Sequence, residues 1–386
     1  MNDTSTPSAR APLAVIPPEI ACARDYASLA QQFMAPAHFE YVAGGSGAGR
    51  AAAANLAAFD RWSVYPRLLR DVRRGHSRIT FGGQTYAHPI LLAPVAFQKL
   101  AHPAGELESA RAAHATDTCV VTSTLSSCTM EEVARAAGPQ RWFQLYFQPQ
   151  REHTRELVER AARAGYGAIV VTLDAAIQAA SQRALRAGFR MPPGCVAANL
   201  RGTTNPARVA PGESLIFQGL MASAPRMDDL AWLIGAASLP VWVKGVLHQD
   251  DARALQAIGV AGVIVSNHGG RGLEEAPASL DALAAVRAAV GPGYPVLLDS
   301  GIRSGSDIFK ALALGADAVL VGRLQMYALA VAGALGVAHM VRLLCEELEL
   351  CMALAGCASV DEIGRDALAV RPRHNNNNRD FDADHH

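Results

Sequence analysis

The chain has no surplus of charge of either sign. Thirty-five Lys and Arg face 35 Asp and Glu, for a formal net charge of +0 over 386 residues. No run of lysine or arginine stands out, so a nucleic acid or an anionic membrane surface is not an expected partner. Cysteine is scarce and unpatterned: Cys22, Cys119, Cys128, Cys195, Cys345, Cys351 and Cys357, an odd count with no Cys-x-x-Cys pair. That excludes a disulfide framework and a zinc ribbon, and it points to reduced thiols in a cytosol with no bound metal. Residues 1–20 hold Pro7, Pro12, Pro17 and Pro18 and lack the apolar core of a signal peptide. The longest apolar region, Leu324 to Val341, is interrupted by Gln325 and His339 and reads as a packed helix, not a membrane span. The expected location is the cytoplasm.

Half of the residues are hydrophobic, enough for a large core. Residues 1–20 are polar and proline-rich and are expected to be disordered. From Ile20 to Phe59 the pattern is helical, broken at Pro36 and at Gly44-Gly45-Ser46-Gly47. Residues 62–88 read as an irregular cover with one hairpin, Ile79 to Tyr86. A rhythm then begins. Eight short apolar runs (Ile90–Ala93, Cys119–Ser123, Trp142–Tyr146, Ala168–Leu173, Val241–Lys244, Gly262–Val265, Val296–Leu298 and Ala318–Val321) alternate with alanine-rich amphipathic stretches. Eight strands alternating with helices predict an α/β fold, a (β/α)8 TIM barrel with an N-terminal helical cover. No Gly-x-Gly-x-x-Gly follows the first run, which disfavours an open doubly wound sheet. The connection from about 175 to 239 is long and suggests a lid-like loop after the fourth strand. One barrel domain over 21–370 is therefore expected, followed by a disordered tail over 371–386 that includes Asn375 to Asn378.

Barrels of this kind carry their active site at the C-terminal ends of the strands. The residues at which the runs stop form a polar ring: Ser123, Gln144 and Tyr146, Thr172 and Asp174, Lys244, Ser266 and His268, then Asp299 to Arg303 and Gly322-Arg323. Glycines with Arg303 and Arg323 after the last two strands suit a phosphate. Ser123, Gln144 and Thr172 suit the carbonyls and ring nitrogens of a heterocycle. Lys244 follows Val241-Trp242-Val243; it could stabilise negative charge on a ring, form a Schiff base or join a structural ion pair. Phosphate, heterocycle and cation together suggest flavin mononucleotide (FMN). The stretch Ser266-Asn267-His268-Gly269-Gly270-Arg271 adds a base that titrates near neutral pH and a guanidinium shaped for a carboxylate.

These motifs, with Asp299-Ser300-Gly301-Ile302-Arg303, Asp307 to Ala316 and Val243-Lys244-Gly245-Val246, resemble those of the FMN-dependent 2-hydroxy-acid oxidases and dehydrogenases. The resemblance runs from about Tyr26 to Arg365. It implies that His268 is the catalytic base and Asp174 its carboxylate partner. Arg271 would clamp the substrate carboxylate, and Tyr41 and Tyr146 would be substrate-contacting phenols. Lys244 would lie beside the flavin N1 and O2. Pro94, Val95, Ala96, Ser123, Gln144, Thr172, Ser266, Asp299, Ser300, Gly301, Arg303, Gly322 and Arg323 would hold the flavin, Val95 standing where threonine is frequent. A homotetramer is also implied, and oxygen is the expected electron acceptor.

One departure concerns the substrate. Relatives such as glycolate oxidase carry Gly-Arg-Arg-Glu after the fourth strand, and the second arginine completes the carboxylate clamp. Here Ser181 occupies that position, with Arg183 and Arg186 close by in sequence. A small-molecule substrate is therefore expected whose carboxyl is masked as an ester, lactone, amide or thioester, or whose larger side chain supplies the lost binding energy; the competing reading is that Arg183 or Arg186 swings in and ordinary free 2-hydroxy acids remain good substrates. A flavin barrel without turnover and an isopentenyl diphosphate isomerase are the alternatives from other classes.

Overall fold

The computed structural model describes residues 9–200 and 209–371. The chain opens with short helices α1 (Asp25–Leu29), α2 (Pro36–Ala43) and α3 (Arg50–Asp60). Strand β1 (Trp62–Val64) pairs antiparallel with the last strand, and the hairpin β2 (Ile79–Phe81) and β3 (Gln84–Tyr86) follows as expected. Eight strands then alternate with helices: β4 (Ile90–Leu92), α4 (Glu106–Ala115), β5 (Cys119–Ser123), α5 (Met130–Ala136), β6 (Arg141–Leu145), α6 (Arg151–Arg163), β7 (Ile169–Thr172), α7 (Gln182–Arg186), α8 (Met227–Ala236), β8 (Val241–Val246), α9 (Gln249–Ala257), β9 (Gly262–Val265), α10 (Ser279–Val290), β10 (Val296–Leu298), α11 (Gly305–Ala313), β11 (Ala318–Val321) and α12 (Arg323–Ala355). The edge strand β12 (Leu368–Val370) closes the order. Strands β4 to β11 run parallel and close on themselves, β11 pairing with β4 through Val319 opposite Ile90. The fold is the (β/α)8 barrel that the eight-fold rhythm predicts.

The strands are buried on both faces, which is why they read as unbroken apolar runs. Alternate residues divide between two cores. Leu91, Val121, Val170, Ile264, Leu297 and Leu320 fill the barrel interior, while neighbours such as Ile90, Val120, Val171 and Val263 face the helices. The interior is plugged at its N-terminal end by Phe81, Tyr86, Trp142 and Trp242, the two tryptophan rings lying 4.8 Å apart. Gly262 makes room for this plug, since a Cβ there would lie 2.3 Å from the Trp242 ring. The other end is left to polar chains.

Two expectations are corrected. Residues 9–20 are not disordered: Arg10 N–H donates to Gln32 O at 3.0 Å, Leu13 N–H donates to Val331 O at 2.8 Å, and Leu13 and Ile16 pack on the core. Proline there fixes an extended chain without preventing it from docking. The segment 175–239 is not all loop, because its end is the crossover helix α8, which buries Leu230 and Leu233. Part of that segment, Asn205-Pro206 included, lies outside the described residues, as do residues 1–8 and 372–386 of the expected tails. By length and composition α12 could cross a membrane, yet it is largely buried in the protein and is bent where Gly333 adopts φ +54°.

Gly305 opens α11 so close to α12 that a Cβ would lie 2.1 Å from Leu348 N. Backbone cannot yield as a flexible side chain does. Gly305→Ala should therefore cost about 1–3 kcal/mol of stability and lower the melting temperature; an unchanged melting temperature would contradict this packing.

Candidate active site

A buried cation organises the C-terminal mouth of the barrel. Lys244 ends the regular part of β8, and the residue is 4% exposed. Its Nζ lies 3.1 Å from Asp299 Oδ2, at the end of β10, and donates to Ser266 Oγ at 2.8 Å, at the end of β9. Burial works against its charge, but Asp299 and Asp174 hold its pKa above the ordinary lysine range. The Schiff-base option requires a neutral amine and loses ground; the ion pair is formed, and it is compatible with the charge-stabilising option.

The next layer is His268. Ser266 Oγ also accepts the His268 N–H at 3.0 Å, and His268 Nδ1 lies 2.8 Å from Asp174 Oδ1. Burial works against the Asp174 charge, yet Lys244 and the His268 hydrogen bond hold its carboxyl below the usual carboxylate range. An ionised carboxylate can only accept, so Nδ1 carries the proton and Nε2 is left as the basic nitrogen. Gly245, at φ +103°, is what lets Asp174 approach, since a Cβ there would lie 2.6 Å from Asp174 Cβ. The strand register shifts at this glycine, between Lys244 and Val246. His268 itself adopts φ +60°, a left-handed conformation uncommon for a residue with a Cβ.

His268 shares one cleft with Tyr41, Tyr146 and Arg271. Tyr41 stacks on Phe189 at 4.2 Å, and the Arg271 guanidinium lies 4.7 Å from the Tyr41 ring centre. Arg271 Nη1 donates to the carbonyls of Tyr41 at 3.0 Å and Gly44 at 3.1 Å, which anchors one edge of its fork. Burial pushes the Tyr146 phenol up to about 12, so it is a neutral donor at physiological pH. Together these groups suit a small anion carrying a hydroxyl.

The rest of the cleft fits FMN. Gln144 Oε1 accepts from Ser123 Oγ at 3.2 Å and Thr124 N–H at 3.1 Å. Its Nε2 is left buried without a partner, as is Thr172 Oγ1 on the adjacent strand. Unmet buried polar atoms of this kind call for a ligand. Arg303 and Arg323 supply uncompensated positive charge. Burial lowers the Arg303 pKa. Burial, then the neighbouring Arg271 and Arg303, push Arg323 down to about 9. Arg323 spends its donors on the carbonyls of Val42, Gly269 and Gly44, none of which neutralises it. A dianionic phosphate would relieve Arg303 and Arg323.

Fifteen of the expected site residues line this cleft, which encloses about 1060 Å³ including its open mouth. Asp174, Gln144, Thr172 and Ser266 stand behind that surface and hold or flank it. The sequence reading missed Phe97, Leu125, Gln178 and Met326, apolar or neutral residues of loops and of α12 that also line it. It also missed Phe189, which carries no signal short of the fold. Ser181 caps α7, its Oγ accepting Ala184 N–H at 3.4 Å. Arg183 is tied to Glu40, whose carboxyl it holds below the usual range, and with Arg186 it lines a separate surface cleft. Neither arginine takes the place of the absent clamp.

A family model described as FMN-dependent dehydrogenase matches residues 30–370. L-lactate oxidase of Alicycliphilus denitrificans is 63% identical over 355 residues, 92% of this chain and 97% of that protein. 4-Hydroxymandelate oxidase of Amycolatopsis orientalis is 43% identical over 324 residues, 83% of this chain and 90% of that protein. The crystal structure of a substituted mandelate oxidase with 2-hydroxy-phenylacetamide superposes with a TM-score of 0.82 at 39% identity, covering 91% of this chain and 98% of that one.

The phosphate site can be tested apart from catalysis. FMN at a hundredfold excess over its dissociation constant should stabilise the chain by ~2.7 kcal/mol. Riboflavin, which lacks the phosphate, should raise the melting temperature far less at equal concentration. Equal stabilisation by the two would remove Arg303 and Arg323 from the phosphate role.

Proposed function

The chain belongs to the FMN-dependent dehydrogenase family, and we propose that its substrate is a free 2-hydroxy acid, with L-lactate the first candidate and molecular oxygen as electron acceptor. FMN-dependent oxidation of a 2-hydroxy acid to the 2-oxo acid is the chemistry that this family membership and the oxidase relatives establish. The observation that carries the assignment of roles is the His268 Nδ1–Asp174 contact of 2.8 Å at a cleft shared with Arg271, Tyr41 and Tyr146. The bound FMN supplies the acceptor for two electrons. Arg271 would grip the carboxylate, and the phenol hydroxyls of Tyr41 and Tyr146 would orient the hydroxyl carbon. His268 Nε2 would take one substrate proton, and the resulting imidazolium would be stabilised by Asp174. Lys244 would add a fixed positive charge that needs no rearrangement during turnover. Two electrons and two protons leave the substrate; with oxygen as acceptor the second product is hydrogen peroxide.

The name of the 63% identical relative supports lactate and oxygen. A second reading, a carboxyl-masked substrate, is favoured by the Ser181 cap and the Arg183–Glu40 pair, which leave Arg271 without a second guanidinium from that segment. The crystal structure of a substituted mandelate oxidase with 2-hydroxy-phenylacetamide, an amide of this kind, supports that reading. The two readings differ in one comparison. A charge-assisted hydrogen bond is worth about 1.5–3 kcal/mol. L-Lactate should therefore exceed its methyl ester in kcat/KM by roughly ten- to a hundredfold, measured as peroxide formation. An ester that is oxidised as well as the acid, or better, would establish the second reading.

The seven unpaired cysteines support a reducing compartment, and we place the protein in the cytoplasm. The expected tetramer rests on the family resemblance and is checked by light scattering.

A further inference from the structure

Asn55 sits in the middle of α3, where asparagine is a weaker helix former than the alanines around it. It is 2% exposed. Its amide Nδ2 donates to Asn267 Oδ1 at 2.7 Å, and Asn267 Nδ2 donates back to Asn55 Oδ1 at 2.9 Å. The remaining capacity of the pair is spent on the backbone of the catalytic turn and its continuation. Asn267 Oδ1 accepts Gly270 N–H at 2.9 Å, Asn267 Nδ2 donates to Pro277 O at 3.0 Å, and Asn55 Oδ1 accepts Ser279 N–H at 3.2 Å. The Asn267 N–H donates to Ser279 Oγ at 3.0 Å. Every bond fixes the residue that precedes His268 or the turn that follows it.

His268 needs such a support. A left-handed non-glycine residue persists where its surroundings over-determine it. On the same side, Gly270 lies so close to α3 that a Cβ would sit 2.4 Å from Ala52 N, and Gly270 O accepts Ser46 N–H at 2.8 Å. The helix and the turn are thus fitted backbone to backbone, with the paired amides setting their register. The segment leading into α3 also carries Tyr41, so the same contact fixes one substrate-facing group relative to the other.

We propose that the reciprocal Asn55–Asn267 amide pair is the positioning device of the active site: it holds His268 in its left-handed conformation and sets the N-terminal cover, with Tyr41, in register with the catalytic turn. Neither side chain lines the cleft, so both act through His268 and not on the substrate. The proposal rests on the reading of His268 as the base.

The test uses the FMN-loaded protein and the variants Asn55→Ala, Asn55→Asp and Ser279→Ala. A positioning role predicts bound FMN per chain as in the unsubstituted enzyme. The kcat for L-lactate should fall roughly ten- to a hundredfold, KM should change much less, and the acid limb of kcat/KM against pH should move. In Asn55→Asp a protonated carboxyl can still donate to Asn267 Oδ1, whereas the ionised form cannot. Its activity relative to the unsubstituted enzyme should therefore be highest at acid pH and fall as the new carboxyl ionises. Ser279→Ala removes one bond to the Asn267 backbone and decides the question if Asn55→Ala does not fold. Variants that keep full kcat and an unmoved pH profile while only melting earlier would overturn the proposal. An independent readout is the His268 ring resonance, assigned by its loss in His268→Ala, which should titrate at a shifted pH in Asn55→Ala. Should no 2-hydroxy acid reduce the unsubstituted enzyme, the functional reading fails, and an unshifted ring titration would separately overturn the amide pair's role.

Discussion

A single buried ammonium ion sets the arrangement of this active site. Removing a charge from water costs several kcal/mol, of order, even after relaxation, so Lys244 has to be surrounded by groups that offset the loss. Asp299, Asp174 and Ser266 are those groups. Each also holds something else: Asp299 Oδ1 accepts the Ser300 hydroxyl at 2.8 Å, Ser300 Oγ accepts Gly269 N–H at 2.9 Å, and Ser266 Oγ accepts His268 N–H. Asp174 holds the His268 ring. Neutralising Lys244 would leave two buried carboxylates facing each other's field and loosen four strand ends together.

Beyond that network the charge is deliberately unbalanced. Arg271, Arg303 and Arg323 crowd the mouth without a carboxylate bonded to any of them among the described contacts, and their proximity adds to burial in lowering the pKa of Arg323. The protein alone is therefore short of negative charge at this end, by an amount that a phosphate and a substrate carboxylate would supply. The apolar end of the barrel is filled by Phe81, Tyr86 and the two tryptophans, tilted 35° to each other, and among the described residues the site cleft lies at the other end. The fold bears the strain of His268 and the repulsion of three guanidinium groups there because the remainder of the barrel is so thoroughly packed.

The barrel was legible in the sequence because its strands are buried on both faces and short: Gly262–Val265 and Ala318–Val321 could be read to the residue. The polar ring was legible for a related reason, since a strand that ends in a hydrogen-bonding residue breaks an apolar run. Pairings across the chain were not. Glu40 and Arg183 lie 143 residues apart, and nothing local to Arg183 says that it is already occupied. Asn55 reads as one polar residue among alanines, and its meaning lies 212 residues away. Leu125 and Gln178 are unremarkable as residue types, and the loops that carry them into the cleft follow no periodicity. Helix α8 was absorbed into an expected loop because Leu230 and Leu233 give too short a buried stripe to announce it beside a long irregular stretch.

The central claim is that His268, held by Asp174 at the cleft that would hold the flavin, removes a proton from a 2-hydroxy acid. Anaerobic mixing of the FMN-loaded protein with L-lactate, followed by flavin absorbance, tests it most directly. The account predicts rapid bleaching in the unsubstituted enzyme, and in His268→Ala a full complement of FMN that stays oxidised over the same time. Bleaching of His268→Ala at the unsubstituted rate would contradict it.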